Sequence, residues 1–200
     1  MKFKNEKDYF KKHEKKKGAL KLGFGSTYSQ SFRYGVLTKE IDLFKKNAIL
    51  LGCGEGAGVP FLQSRGCENI YGFDILNKNI KTAKERYPDL SNKFFKISKT
   101  QDIRNHIKKI DWIFASGTWN VKTEKQYSKI EELLDLSDLV QIGIATNLTT
   151  NVKSKDDCHN FSPIIILEMF SNKFNKWKID YTYFKNDFSV WGFDPKTIEC

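Results

Sequence analysis

The run Gly52-Cys53-Gly54-Glu55-Gly56-Ala57-Gly58 follows the apolar stretch Ala48 to Leu51, and an acid, Asp74, closes Ile70-Tyr71-Gly72-Phe73 about 20 residues further on. Glycines at the end of a buried strand let the backbone approach a ligand closely, because a Cβ there would intrude. A carboxylate at the end of the next strand accepts hydrogen bonds from ribose hydroxyls. Together they form one physical unit suited to an adenosine-containing cofactor. The unit alone leaves the cofactor open: Gly52, Gly54 and Ala57 satisfy the loose dinucleotide fingerprint GxGxxG/A, which allows a nicotinamide enzyme.

The elements that must position these residues alternate. A polar helical pattern covers 5–17, and a helix capped by Ser29 runs to about Lys46. Ala48–Leu51 is the first strand, short and apolar on every side. Pro60 opens the next helix and Gly66 ends it. Strand two is Asn69–Phe73, followed by a helix that Asn77 caps and that ends at Tyr87 before Pro88. Then come strand three (Lys93–Ile97), a short helix (Ile103–Lys108), strand four (Asp111–Ser116), a helix (Glu124–Leu136), strand five (Leu139–Ala145) and a helix from Pro163 to Phe174.

Such alternation implies a parallel sheet with helices on both faces. The tail departs from it: the aromatic runs Trp177–Phe184 and Phe188–Phe193 are joined by only Lys185-Asn186-Asp187, too short for a parallel crossover. The predicted fold is therefore α/β, a Rossmann-like doubly wound sheet of seven strands, mostly parallel, with a C-terminal antiparallel hairpin and two N-terminal helices. It forms a single domain, 1–200, divided into an N-terminal helical lid (1–46) and a core (47–200). A terminal hairpin argues against the paired mononucleotide halves of a dinucleotide site.

At 200 residues the chain suits one domain without disulfides. Its formal charge of +10 is uneven, with nine lysines against three acids in residues 1–23. That segment lacks an interleaved aromatic run or a reading motif, so it reads as a solvated helix face, with nucleic-acid binding the alternative. The four cysteines (53, 67, 158 and 200) show no CxxC spacing, no metal site is predicted, and a reduced, cytoplasmic setting is expected. No apolar run approaches the roughly 20 residues that span a bilayer.

Leu51-Gly52-Cys53-Gly54-Glu55-Gly56, Tyr71-Gly72-Phe73-Asp74-Ile75 and Asp111 to Asn120 resemble the first motif, the acidic second strand and the fourth-strand segment of class I S-adenosylmethionine-dependent methyltransferases. The lead-in Gly23-Phe24-Gly25-Ser26 with Gln30 and Arg33, and the tail His159-Asn160-Phe161-Ser162-Pro163 with Asp180-Tyr181, are similar to a subgroup of small bacterial metabolite methyltransferases. Phe24 and Asn160 depart from that subgroup, which has tryptophan and tyrosine near these places. The resemblance covers nearly the whole chain and implies S-adenosyl-L-methionine (SAM) as cofactor and S-adenosyl-L-homocysteine (SAH) as product. It implies Gly52, Cys53, Gly54 and Gly56 beside the methionine part, Asp74 on the ribose and Ile75 on an adenine face. Asp102 then meets the adenine amino group, although it is equally placed to cap the short helix. Gln30 and Arg33, three apart on one helical face, lie over the cofactor, with Arg33 pairing its carboxylate. The backbone of Ala115 and Ser116 lies where parallel sheets open their ligand crevice.

Methyl transfer is an in-line displacement, so much of its rate comes from alignment and exclusion of water. His159 and Asp180 are the candidate bases, since both fall in segments that supply the acceptor pocket in the resembled family. His13, on the lid, and Trp119, Asn120 and Asn147, after strands four and five, are the candidate acceptor-binding residues. The acceptor expected is a small polar metabolite methylated on oxygen or nitrogen, and the basic excess favours a phosphorylated or nucleotide-linked surface-polysaccharide precursor. A nicotinamide oxidoreductase and an RNA-modifying protein are the alternatives.

Overall fold

The structure is a computed structural model that describes Tyr9 and residues 26–123, 126–150 and 158–196. His13, Phe24 and the helix predicted over 5–17 lie outside the described residues.

A single seven-stranded sheet has the order β3-β2-β1-β4-β5-β7-β6. The strands are β1 (Asn47–Leu51), β2 (Asn69–Asp74), β3 (Phe94–Lys96), β4 (Ile110–Ser116), β5 (Val140–Thr149), β6 (Phe174–Asp180) and β7 (Asp187–Pro195). The first five run parallel, and β7 is antiparallel to both β5 and β6, as the short connection required. The helices are α1 (Thr27–Thr38), α2 (Val59–Gln63), α3 (Asn77–Arg86), α4 (Gln126–Leu134) and α5 (Pro163–Lys173), with short 3-10 segments between some of them. No helix among the described residues is long and apolar enough to cross a membrane.

Successive side chains of β1 point to opposite faces, and both faces are covered. Ile49 and Leu51 enter one apolar core with Phe73, Ile113, Ile144 and Phe188; Ala48 and Leu50 enter the other with Leu37, Val59, Trp112 and Trp191. Chain order reverses direction across the sheet between β1 and β4, which opens a crevice at their carboxyl ends.

Several predicted boundaries shift for local reasons. Ser26, not Ser29, caps α1: Ser26 Oγ accepts from Ser29 N at 3.0 Å and Ser29 Oγ from Ser26 N at 3.1 Å, a reciprocal capping box. The helix ends at Thr38, not Lys46, and Lys45 adopts φ 55°, which no helix accommodates. Asn77 is the first helical residue of α3 and Leu76 its cap. The short helix expected over 103–108 is a 3-10 turn over Thr100–Asn105. Strand β5 continues past Ala145 through the polar run to Thr149, because its polar side chains find partners: Thr146 Oγ1 donates to the Ala115 carbonyl at 2.8 Å.

Candidate active site

At the end of β1 the chain must turn tightly over the sheet. Gly52, Gly54 and Gly56 take φ of +66°, +54° and +84°, in the left-handed region that glycine alone enters without strain. A Cβ on Gly52 would stand 2.5 Å from Thr118 Oγ1, itself fixed by donating to the Leu51 carbonyl at 2.9 Å. The glycine loop and the loop after β4 are thus closed against each other across the crevice.

Asp74 ends β2 beside this loop and is buried. Its Oδ2 accepts from Gly54 N at 2.9 Å, while Oδ1 accepts from Leu76 N at 2.8 Å and Asn79 Nδ2 at 3.2 Å. Burial pushes its carboxyl above the ordinary value, and the Leu76, Gly54, Asn79 and Ile75 donors pull it partway back. Cys53 is buried beside it, its thiol pushed well up by burial and then by Asp74. Ile75 is half-buried against the core.

One wall of the crevice comes from α1. Gln30 is buried there, and one turn on, Tyr34 turns its phenol to Ser116; burial and then the charges of Cys53 and Asp74 push that phenol up, and Ser116 draws it partway back. Sequence reading passed over Tyr34, although its i, i+4 spacing to Gln30 put it on the same face. Arg33 turns toward the hairpin: Nε donates to Asp187 Oδ2 at 2.7 Å, Nη2 stands 2.6 Å from the same oxygen, and Nη1 reaches the Ser29 carbonyl at 3.3 Å. Asp187, also unforeseen, lies 154 residues from its partner, so no local signal could reveal the pair. Trp191 Nε1 donates to the Leu37 carbonyl at 3.0 Å and fixes the other end of α1.

At the carboxyl ends of β4 and β5, Asn147 Oδ1 accepts from Gly117 N at 2.8 Å and its Nδ2 donates to Ser116 Oγ at 3.3 Å. Asn120 Oδ1 accepts from Thr149 N at 3.0 Å, and its carbonyl accepts from His159 N at 2.8 Å. The His159 imidazole packs edge-on against Tyr127 and Phe161. Register puts Ser116 opposite Asn147 and Asn147 opposite Ser189, a polar row one residue deep beneath the rim, with Thr149 opposite Asp187 above it.

Two sequence candidates lie elsewhere. Asp102 is spent on the 3-10 turn, accepting from Ser98 N at 2.8 Å and Lys99 N at 3.1 Å, the capping alternative. Asp180 ends β6, four strands and about 19 Å across the sheet from β1. Its Oδ1 accepts from Thr182 N and Oγ1 at 2.8 and 2.6 Å; burial works upward on this carboxyl, but Thr182, Lys39 and Lys178 outweigh it and hold the group low. Trp119 is buried in the core, and its carbonyl accepts from Gln126 Nε2. It is a prop for the loop after β4.

Residues 49–134, from β1 through the loops and α4, match the family model of a methyltransferase domain. Over that segment the chain is similar to methyltransferase domains. Rv1506c of Mycobacterium tuberculosis, a protein named as a methyltransferase, is 26% identical over 136 residues, which span 63% of this chain and 79% of that one. Magnesium protoporphyrin IX methyltransferase from Synechocystis PCC 6803, solved with bound SAH, superposes with a TM-score of 0.65 at 13% identity, over 96% of each chain. Phosphoethanolamine N-methyltransferase 1 of Haemonchus contortus, solved with phosphoethanolamine and SAH, gives 0.69 at 14% identity over 95% of this chain and 48% of that one. At such identities the structural likeness is one of fold.

The residues of the crevice suit S-adenosylmethionine. Three glycines lie where a side chain would fill the turn, and a buried carboxylate faces them across a single hydrogen bond. The sheet ends in the antiparallel β6–β7 hairpin where a dinucleotide fold normally repeats its parallel mononucleotide-binding half.

Proposed function

We propose that this methyltransferase acts on an oxygen or nitrogen of a small, hydroxyl-bearing polar metabolite such as a surface-polysaccharide precursor. The observation that carries the reading is the register of β4, β5 and β7, which lines up Ser116, Asn147 and Ser189 beside the glycine loop. Hydroxyls and amides so placed recognise hydroxyl-rich ligands. Arg33, the cation at this end among the described residues, is held by Asp187, so a phosphate on the acceptor finds its charge already met there. Neighbours whose names give a porphyrin and phosphoethanolamine as substrates show that the fold by itself does not choose an acceptor.

When bound, SAM supplies a methyl group on a sulfonium, open to in-line displacement. In this reading the glycine loop cradles the methionine part, Asp74 takes a ribose hydroxyl, Ile75 lies on the adenine, and Gln30 and Tyr34 close the α1 side against water. Asn120 and Asn147 orient the acceptor. His159, rather than Asp180, receives its proton where one must leave, since His159 is tied to the Asn120 loop while Asp180 sits on the far strand. Residues 1–46 act as the lid, and removing 1–17 tests this: weaker SAH binding supports a lid, whereas unchanged SAH binding with lost polyanion binding shows a binding arm.

The primary test is a thermal shift with SAM, SAH and NAD. At a hundred times Kd, SAM and SAH should each add about 2.7 kcal/mol of apparent stability and NAD nothing. Stabilisation by NAD alone would refute the reading. Release of SAH over a panel of sugars, nucleotide sugars and phosphorylated amines then identifies the acceptor.

A further inference from the structure

Asn79 takes no part in the reading above, yet it is only 2% exposed in the first turn of α3, where the other buried side chains, Ile80 and Ala83, are apolar. Its Nδ2 donates to Asp74 Oδ1, while its own Oδ1 is buried with no hydrogen-bond partner among the described residues. A buried carbonyl without a donor is unfavourable beside an apolar side chain of the same size. Packing alone would be better served by leucine or methionine. What only the amide provides is the bond to Asp74, and that bond fixes its orientation, since the reversed amide would set oxygen against carboxylate oxygen.

The consequence lies in which acceptor positions remain. An ionised carboxylate offers about two per oxygen. Within hydrogen-bond distance and angle Leu76 N and Asn79 Nδ2 go to Oδ1 and Gly54 N to Oδ2, and the Ile75 N–H is a weaker donor to the same carboxylate. Without Asn79 the carboxylate, still held by Leu76 N and Gly54 N, would present an open position on each oxygen. With it, the remaining position is on Oδ2, next to the glycine loop.

We infer that Asn79 is a positioning residue for the cofactor: it saturates Asp74 Oδ1 and so directs a ribose hydroxyl onto Oδ2 beside Gly54. This rests on the SAM reading of the crevice.

Calorimetric titration of Asn79→Leu with SAH, alongside thermal unfolding of the free protein, tests it. Removing a hydrogen bond to a buried charge should raise Kd for SAH about tenfold, while the unfolding midpoint of the free variant stays at or above wild type because the orphaned carbonyl is gone. Asn79→Ala provides a second variant if leucine overfills the site. SAH lacking its 2′- or 3′-hydroxyl separates positioning from a general loss of structure: the wild type should bind one of these analogues more weakly than SAH, and the variants should lose that discrimination. Unchanged SAH affinity in both variants would overturn the inference, as would equal losses with SAH and both deoxy analogues. A wild type that binds no SAH would instead overturn the cofactor reading, a result visible before any variant is made.

Discussion

Replacing Asp187 with leucine should destabilise the protein far more than its place at the very start of β7 suggests. Its side chain is 3% exposed and that of Arg33 13%, and the guanidinium meets Asp187 Oδ2 through both Nε and Nη2. Removing the acid leaves a largely buried guanidinium that has lost its carboxylate, with the Ser29 carbonyl and the Phe184 ring still against it. Breaking one partner out of a buried pair costs about 3–5 kcal/mol. Arg33's residual exposure puts this case at the lower end, about 3 kcal/mol, which for a chain of this length lowers the melting midpoint by roughly 6–12 °C. The double variant Arg33→Met, Asp187→Leu removes both the attraction and the two desolvation penalties, so it should return to within about 1 kcal/mol of wild type. Calorimetry or urea unfolding of the wild type, both single variants and the double closes the cycle. SAH titration on the same four proteins adds a second axis: if Arg33 also pairs the cofactor carboxylate, the double variant recovers stability but not affinity. A coupling below about 0.5 kcal/mol, the level at which independent sites add, would refute the argument.

Gly52→Ala should lose about 1–2 kcal/mol from its left-handed φ alone, and SAH affinity with it, because Thr118 cannot yield without releasing the Leu51 carbonyl; denaturant unfolding with wild-type stability would contradict this. His159→Phe keeps the edge-on packing but removes the imidazole, so kcat should fall about 100-fold with SAH binding intact, whereas Asp180→Asn should leave kcat at the wild-type level; steady-state kinetics showing the reverse order would move the base to β6. Burial raises the Asp74 carboxyl, so its ionised form weighs against the folded state above that raised value, and this penalty disappears as pH falls below the unfolded value. A ribose hydroxyl donates more strongly to the ionised form, so SAH affinity should be highest above the raised value and fall as pH drops through it, starting at a higher pH than an exposed aspartate would give; a flat titration down to the ordinary aspartate range would show that Asp74 does not hold the ligand.

The parts of this site that sequence made legible are those whose chemistry is local. A glycine that needs φ above zero, a carboxylate that ends a buried strand and a three-residue connection between aromatic runs each state their geometry within a few residues. For that reason the tight turn after β1, the strand that Asp74 ends and the antiparallel tail stand where the sequence puts them. Strand β5 shows the limit, because Thr146, Asn147 and Thr149 look like a loop until Ala115, Ser116 and Asn120 are beside them to meet their hydrogen bonds. Arg33 shows it more strongly. On its helix it is a cation that can turn to solvent, to the cofactor or to the hairpin, and only the pairing of β5 with β7, which brings Asp187 beneath α1, decides among them. Asn79 belongs to the same class: as a sequence feature it is one polar residue in a polar helix, and it acquires meaning only from the oxygen of Asp74 that it occupies and the one it leaves open. The residues of the proposed cradle are thus local, whereas those proposed to aim it are supplied by tertiary contacts, and it is the second group in which members of one fold are free to differ.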